Sequence, residues 1–220
     1  MLQQSNSILR LCIVVVVVML VQLLPVLSQD VKIGTQTWTS KNLDVSTFRN
    51  GDPIPEAKSK EECSIASQNQ TAAFCYYEFD SKNGKVYGKL YNWYAVGDSR
   101  GLAPKGYHIP SDAEWTILTD FLGGEEIAAQ KMKSKEGWSK NGKKSGNGNN
   151  SSGFNGLPGG NCSNSPNFYN ITDFGYWWSS SEYKYNTNVA LYRFLGGYNA
   201  RVNSDDDGKN YGMSVRCIKD

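Results

Sequence analysis

Apolar positions come in short bursts from residue 31 onward, and their spacing changes along the chain. VKIGTQTWTSKNL alternates at Val31 and Ile33, turns at Gly34 and resumes through Thr37 and Trp38, which predicts a small hairpin. Residues 49–72 lose the alternation and read as a long polar excursion headed by DPIP. AFCYYEF, Ala73 to Phe79, is aromatic and β-prone, and Asn83-Gly84 offers the left-handed backbone of a tight hairpin before KVYG. KLYNWYAVG, with Leu90, Trp93, Tyr94 and closing Gly97, predicts a short helix with a glycine stop.

The pattern is clearest in GYHIPSDAEWTILTDFLGG. Ser111 stands three residues before Glu114, so hydroxyl and carboxylate can cap each other's free amides. Trp115, Leu118 and Leu122 make one stripe, thickened by Ile117 and Phe121, and Gly123 ends the helix. EEIAAQKMK then predicts a shorter helix, acidic first and basic last, as the helix dipole prefers.

Beyond Lys133 the pattern shortens to strands: residues 154–158, 176–182, 189–195, near 201, and 214–219. Helices first and strands later make an α+β single domain, with two or three short helices, a small twisted antiparallel sheet and long irregular loops. Asp205 to Asp207 lack the ligand spacing of an EF-hand and read as a solvated acidic turn.

The N-terminus changes the compartment. Leu11 to Leu24 is an apolar run about as long as a signal-peptide core and short of the roughly 20 residues of a spanning helix. Val26 and Ser28 place a cut before Gln29, so residues 1–28 are expected to be a signal peptide and 29–220 one exported domain. A retained membrane anchor is the alternative. The expected location is secreted, extracellular or cell-surface, with no membrane span once the leader is cut.

Formal net charge over the whole chain is +2, which gives no reason to expect nucleic acid as a partner. Export leaves Cys63, Cys75, Cys162 and Cys217, an even set for an oxidising compartment, with three pairings open. No CxxC and no second histidine accompany them, so no zinc set is expected. No metal site or cofactor is assigned, and calcium held in some other loop geometry stays open.

Taken in order, VKIGTQTW, FRNGDPIPEA, CYYEFD, YGKLYNWYAV, GLAPKGYHIPSDAEWTILTDFLGG, GFNGLPGG, GYWWSSSE and YGMSVRCIKD resemble the Fibrobacter succinogenes major paralogous domain family over residues 31 to 220. The resemblance implies an exported surface protein without an established biochemical activity. More distantly, YHIPSDAEW and MSVRCIK resemble the C-type-lectin-like fold shared with formylglycine-generating enzymes. Cys63 and Cys162 depart together from the family pattern, which implies a Cys63–Cys162 bridge and leaves Cys75–Cys217 as the other. Cys63–Cys75 is the rival pairing.

Three function classes follow: a non-catalytic module binding polysaccharide or another glycoconjugate, a structural or adhesion unit of the envelope, and an enzyme akin to the formylglycine-type oxidases. No cysteine sits in a motif matching that oxidase pair. His108 adjoins Ser111 and Asp112, but those two serve the helix cap. On a strand Trp177 and Trp178 face opposite ways, with Trp178 in the core and Trp177 among serines as the ring that can be half exposed, a second layer of packing under a loop being the favoured alternative for it. Phe168, Tyr169, Tyr183, Tyr185 and Tyr198 lie among asparagines, the composition of a wet stacking surface. The expected ligand-binding set is Tyr169, Trp177, Tyr183, Tyr185, Asn167, Asn170 and Asn186.

Overall fold

The computed structural model describes residues 30–220, so the expected leader and its cut before Gln29 lie outside the described residues. The opening hairpin forms as expected: β1 (Asp30–Ile33) pairs antiparallel with β2 (Gln36–Thr39) around Gly34, whose φ of 63° few other residues tolerate. The chain then departs from expectation twice. Inside the supposed polar excursion runs helix α1 (Lys60–Gln68), capped by Ser59, whose side chain accepts from the Glu62 amide. Beyond β3 (Phe74–Cys75) and a 3-10 turn at Tyr77–Phe79, Asn83-Gly84 is no hairpin turn but part of helix α2 (Ser81–Tyr87). Gly84 is there for space, since a Cβ on it would lie 2.2 Å from the Tyr76 ring.

β4 (Leu90–Tyr91) takes the first part of the segment expected to be one helix, and α3 (Trp93–Val96) the rest, stopping at Gly97. After β5 (Tyr107–His108), α4 (Asp112–Phe121) carries the full reciprocal capping box of Ser111 and Glu114. Trp115, Leu118 and Leu122 are buried, but Ile117 and Phe121 are exposed, so the apolar stripe is narrower than the sequence suggests. α5 (Glu125–Met132) follows.

The C-terminal half holds β6 (Gly159–Cys162), β7 (Phe168–Ile171), β8 (Phe174–Glu182), β9 (Val189–Gly196), β10 (Val202–Gly208) and β11 (Ile218–Lys219). Residues 154–158 are not a strand; the strand begins at the glycine pair after them. Asp205 to Asp207, expected in a solvated turn, lie within β10, where pairing with β9 overrides aspartate's poor β preference.

The larger sheet has the order β10-β9-β8-β6-β7, and β6 runs parallel to β8, so the expected purely antiparallel sheet is corrected to a mixed one. A second sheet, β1-β2-β11-β5, joins both ends of the described chain, and β3-β4 form a two-stranded third. The architecture is α+β in one domain, with five helices among the described residues rather than two or three. No described helix is long and apolar enough to cross a membrane.

Helices α4 and α5 lie on one face of the large sheet, held by Arg193 on β9. Its guanidinium is buried and reaches Asp112 at 2.8 Å, Glu125 at 3.2 Å and the Thr116 hydroxyl at 3.0 Å. This leaves the opposite face to carry whatever the sheet presents beyond the core.

Candidate functional site

Strand geometry sends alternate side chains to opposite faces. Register places Tyr176 opposite Phe194 and Trp178 opposite Tyr192, while Asn203 and Asp205 on β10 stand beside Phe194 and Tyr192. The face away from α4 and α5 is therefore an aromatic ladder edged by acids. Phe174 and Tyr176 stack at 5.8 Å between ring centres and 20° between planes, and Tyr176 meets Phe194 at 5.8 Å and Tyr192 at 6.0 Å. Trp178, Tyr176 and Tyr192 form its buried floor, and Phe174, Phe194 and Tyr211 remain partly open. Burial pushes the Tyr176 phenol up to about 12, although Asn170 donates to its oxygen at 2.8 Å. Burial, helped by the Asp205 carboxylate, also raises Asp207.

At one end the ladder opens into a groove of about 210 Å³. Phe174 and Tyr198 form its aromatic side, ring centres 5.3 Å apart and nearly perpendicular, and Tyr198 is 54% exposed. Lys140, Asn141 and Asp173 supply polar groups. The β7–β8 turn beneath it is strained: Asn170 has φ 65° and Thr172, a β-branched residue, φ 67°. Such a conformation costs about 1–3 kcal/mol and persists where the surroundings impose it. Here Ser139 imposes it, its amide donating to the Thr172 carbonyl at 2.8 Å and its hydroxyl meeting the Thr172 hydroxyl at 2.7 Å.

The seven residues expected to bind ligand do not converge. Trp177 is 1% exposed and packs under α4 against Phe154, its indole N–H donating to Asn42, so its half-exposed placement is corrected. The serines beside it mislead because Ser179 is buried too. Asn167 accepts from the Lys60 ammonium at 2.5 Å and donates to Ser165, which ties it into its own loop. Tyr169 is exposed on β7, and Asn170 touches the ladder through Tyr176. Tyr183 and Tyr185 pair edge-on at 5.5 Å beyond the far end of β8, and Asn186 caps that loop by accepting from the Asn188 amide. The residues missed are Phe174, Tyr192 and Phe194. Their signal was the alternation in FGYWW and ALYRF, which puts rings from two strands on one face.

A wider cleft of about 550 Å³ is lined by Arg49, Leu102, His108, Ser111, Glu114 and Ser180, among others. His108 is clamped there, Nε2 at 2.7 Å from Glu114 and Nδ1 at 2.8 Å from Asp220. Burial alone lowers its pKa, but the hydrogen bonds to Asp220 and Glu114 outweigh that and leave it raised. The stabilisation is thus complete below the ordinary histidine value of about 6.5 and is lost as pH rises through the higher folded value. Glu114 is opposite: burial raises it, the Ser111 and His108 bonds win, and its share is lost as pH falls below the usual carboxylate range. Wild-type melting temperature should fall as pH rises above the ordinary histidine value of about 6.5, and H108Q should flatten that slope. Parallel slopes in a calorimetric pH series would mean that the clamp contributes nothing.

The four cysteines are all thiols, which departs from the expected bridges. Cys217 lies in the main core with Trp178 and Val215, whereas Cys75 packs with Cys63 and Cys162, so Cys75–Cys217 is not the arrangement formed. The Sγ atoms of Cys63, Cys75 and Cys162 lie within 4.8 Å of one another. Hydrogen bonds with Cys162 and Cys75 lower the Cys63 thiol; those with Cys162 and Cys63, together with burial, raise Cys75, and the contact with Cys63 together with burial raises Cys162 against the opposing effect of Cys75.

The family model of the Fibrobacter succinogenes major domain matches residues 31–219, nearly all of the described chain. The chain belongs to this family, a domain of unknown function. No curated protein and no solved structure matches it.

Proposed function

We propose that the protein is an exported, non-catalytic recognition module that binds saccharides of a cell surface or matrix in the groove bounded by Phe174, Tyr198, Asn141, Lys140 and Asp173. The observation that carries this reading is the open Phe174–Tyr198 pair beside short polar side chains, held on a strained turn. A sugar ring offers a C–H face that packs on an aromatic plane and a rim of hydroxyls that amides and carboxylates bind. The ladder behind Phe174 makes the aromatic wall rigid, which lowers the cost of ordering it on binding. That His108 has both nitrogens engaged supports the non-catalytic part of the reading.

A shallow polar site exchanges water hydrogen bonds for protein ones at small net gain, so affinity should be micromolar to millimolar. A glycan array followed by calorimetry tests this. Tyr198→Ala should weaken binding of the selected saccharide at least about tenfold, while the melting temperature moves little because the ring is half exposed. Unchanged affinity in that variant would remove the groove from consideration.

A further inference from the structure

Three thiols from three separate elements meet beneath α1. Cys63 stands in the second turn of that helix, Cys75 ends β3 and Cys162 ends β6. Backbone pairing fixes the two strand positions: Cys75 lies opposite Leu90, and Cys162 exchanges both backbone hydrogen bonds with Gly212 at 2.8–2.9 Å. Gly212 lets the Cys162 strand approach closely, since a Cβ there would lie 3.1 Å from the Cys162 Cβ. Ala57, Tyr77 and Leu90 surround the trio with apolar groups.

We propose that Cys63, Cys75 and Cys162 form a three-thiolate site for one soft metal ion, monovalent copper. Metal–sulfur bonds of about 2.3 Å around a trigonal centre put the sulfurs about 4 Å apart. The observed mutual distances of up to 4.8 Å reach that with a small contraction. Thiolate sulfur selects copper(I) or zinc over harder ions. Structural zinc takes four ligands, and among the described residues no fourth histidine, cysteine or carboxylate joins this group. The cavity the cysteines share with Ala57, Leu90 and Asn210 measures about 20 Å³, room for a single small sphere rather than for an ion with its own water. Binding needs all three sulfurs as thiolates, so Cys75 and Cys162 give up their protons, and the bound site carries a net charge of −2, which the α1 N-terminus and the ammonium of Lys60, close enough to act on Cys162, partly offset. A disulfide within the trio would use two sulfurs and leave the third buried against the bond.

The test uses the full chain, reduced and titrated anaerobically with copper(I) against a chromophoric chelator. One equivalent should bind, and X-ray absorption should show a shell of three sulfurs. C63S should weaken binding by at least about 100-fold, more than the loss of a merely supporting residue. C217S should bind like wild type, because Cys217 belongs to a different cluster. Circular dichroism checks that each variant is folded, and the wild-type absorption spectrum stands without any variant. No copper uptake by the reduced protein, a shell with fewer than three sulfurs, or equal binding by C63S would each overturn the site.

Discussion

Replacing Arg216 with alanine should cost at least about 4 kcal/mol, a large share of the roughly 5–15 kcal/mol that holds a domain folded. Arg216 is 0% exposed and has no carboxylate partner in contact among the described residues. Its guanidinium instead donates to the carbonyls of Thr39, Phe154 and Asn155 and to Asn42 Oδ1, at 2.7–3.0 Å, and it lies 4.5 Å over the Phe154 ring. Burial pulls its pKa down to about 9, a measure of how little water reaches it. Without the side chain, acceptors gathered from two distant parts of the chain face a dry cavity, each costing about 1–3 kcal/mol. Arg216→Lys keeps the charge but loses the planar fork, so it too should lower the urea midpoint clearly. A wild-type midpoint for Arg216→Lys would show that these carbonyls find other partners.

Trp177→Ala and Trp178→Ala should destabilise alike, each by about 3–5 kcal/mol, the usual cost of emptying an indole site. The strand divides the two rings between different clusters, yet both are closed from solvent. Trp178 donates its N–H to the Tyr91 carbonyl, and Trp177 donates to Asn42, the same oxygen that receives Arg216. Urea titrations of the two variants decide it. A much smaller loss for Trp177 would restore the asymmetric reading in which that ring is half exposed.

These two cases show where sequence patterning reaches its limit. The opposite facing of Trp177 and Trp178 was legible, because a strand has period two. That both faces are covered was not, since burial depends on α4 folding back from elsewhere in the chain. The Ser111–Glu114 cap was legible because it is local and reciprocal. The Ser59–Glu62 pair carried the same signature ahead of α1 and was overlooked because the helix behind it has no apolar stripe; none of its residues is fully buried. Asn83-Gly84 reads as a hairpin turn until Tyr76 packs on Gly84. For the site, the composition of the C-terminal half pointed to Tyr198 and Asn170 among its aromatics and asparagines, and the fold places one in the groove and the other against Tyr176. Composition could not rank them, because Lys140 and Asn141 come from a loop far earlier in the chain. The cysteine trio was invisible for the same reason: four sequence positions gave a pairing problem, and only the fold made three of them a cluster.

The most direct test of the recognition reading is chemical-shift mapping of the labelled protein with a saccharide selected on the array. The groove predicts shifts in the amides of residues 139–141, 172–174 and 197–198, with the Phe174 and Tyr198 ring signals moving alongside. Shifts confined to the Tyr183–Tyr185 tip, or no response to any plant, bacterial or host polysaccharide, would contradict it and favour a structural or adhesive role for the domain.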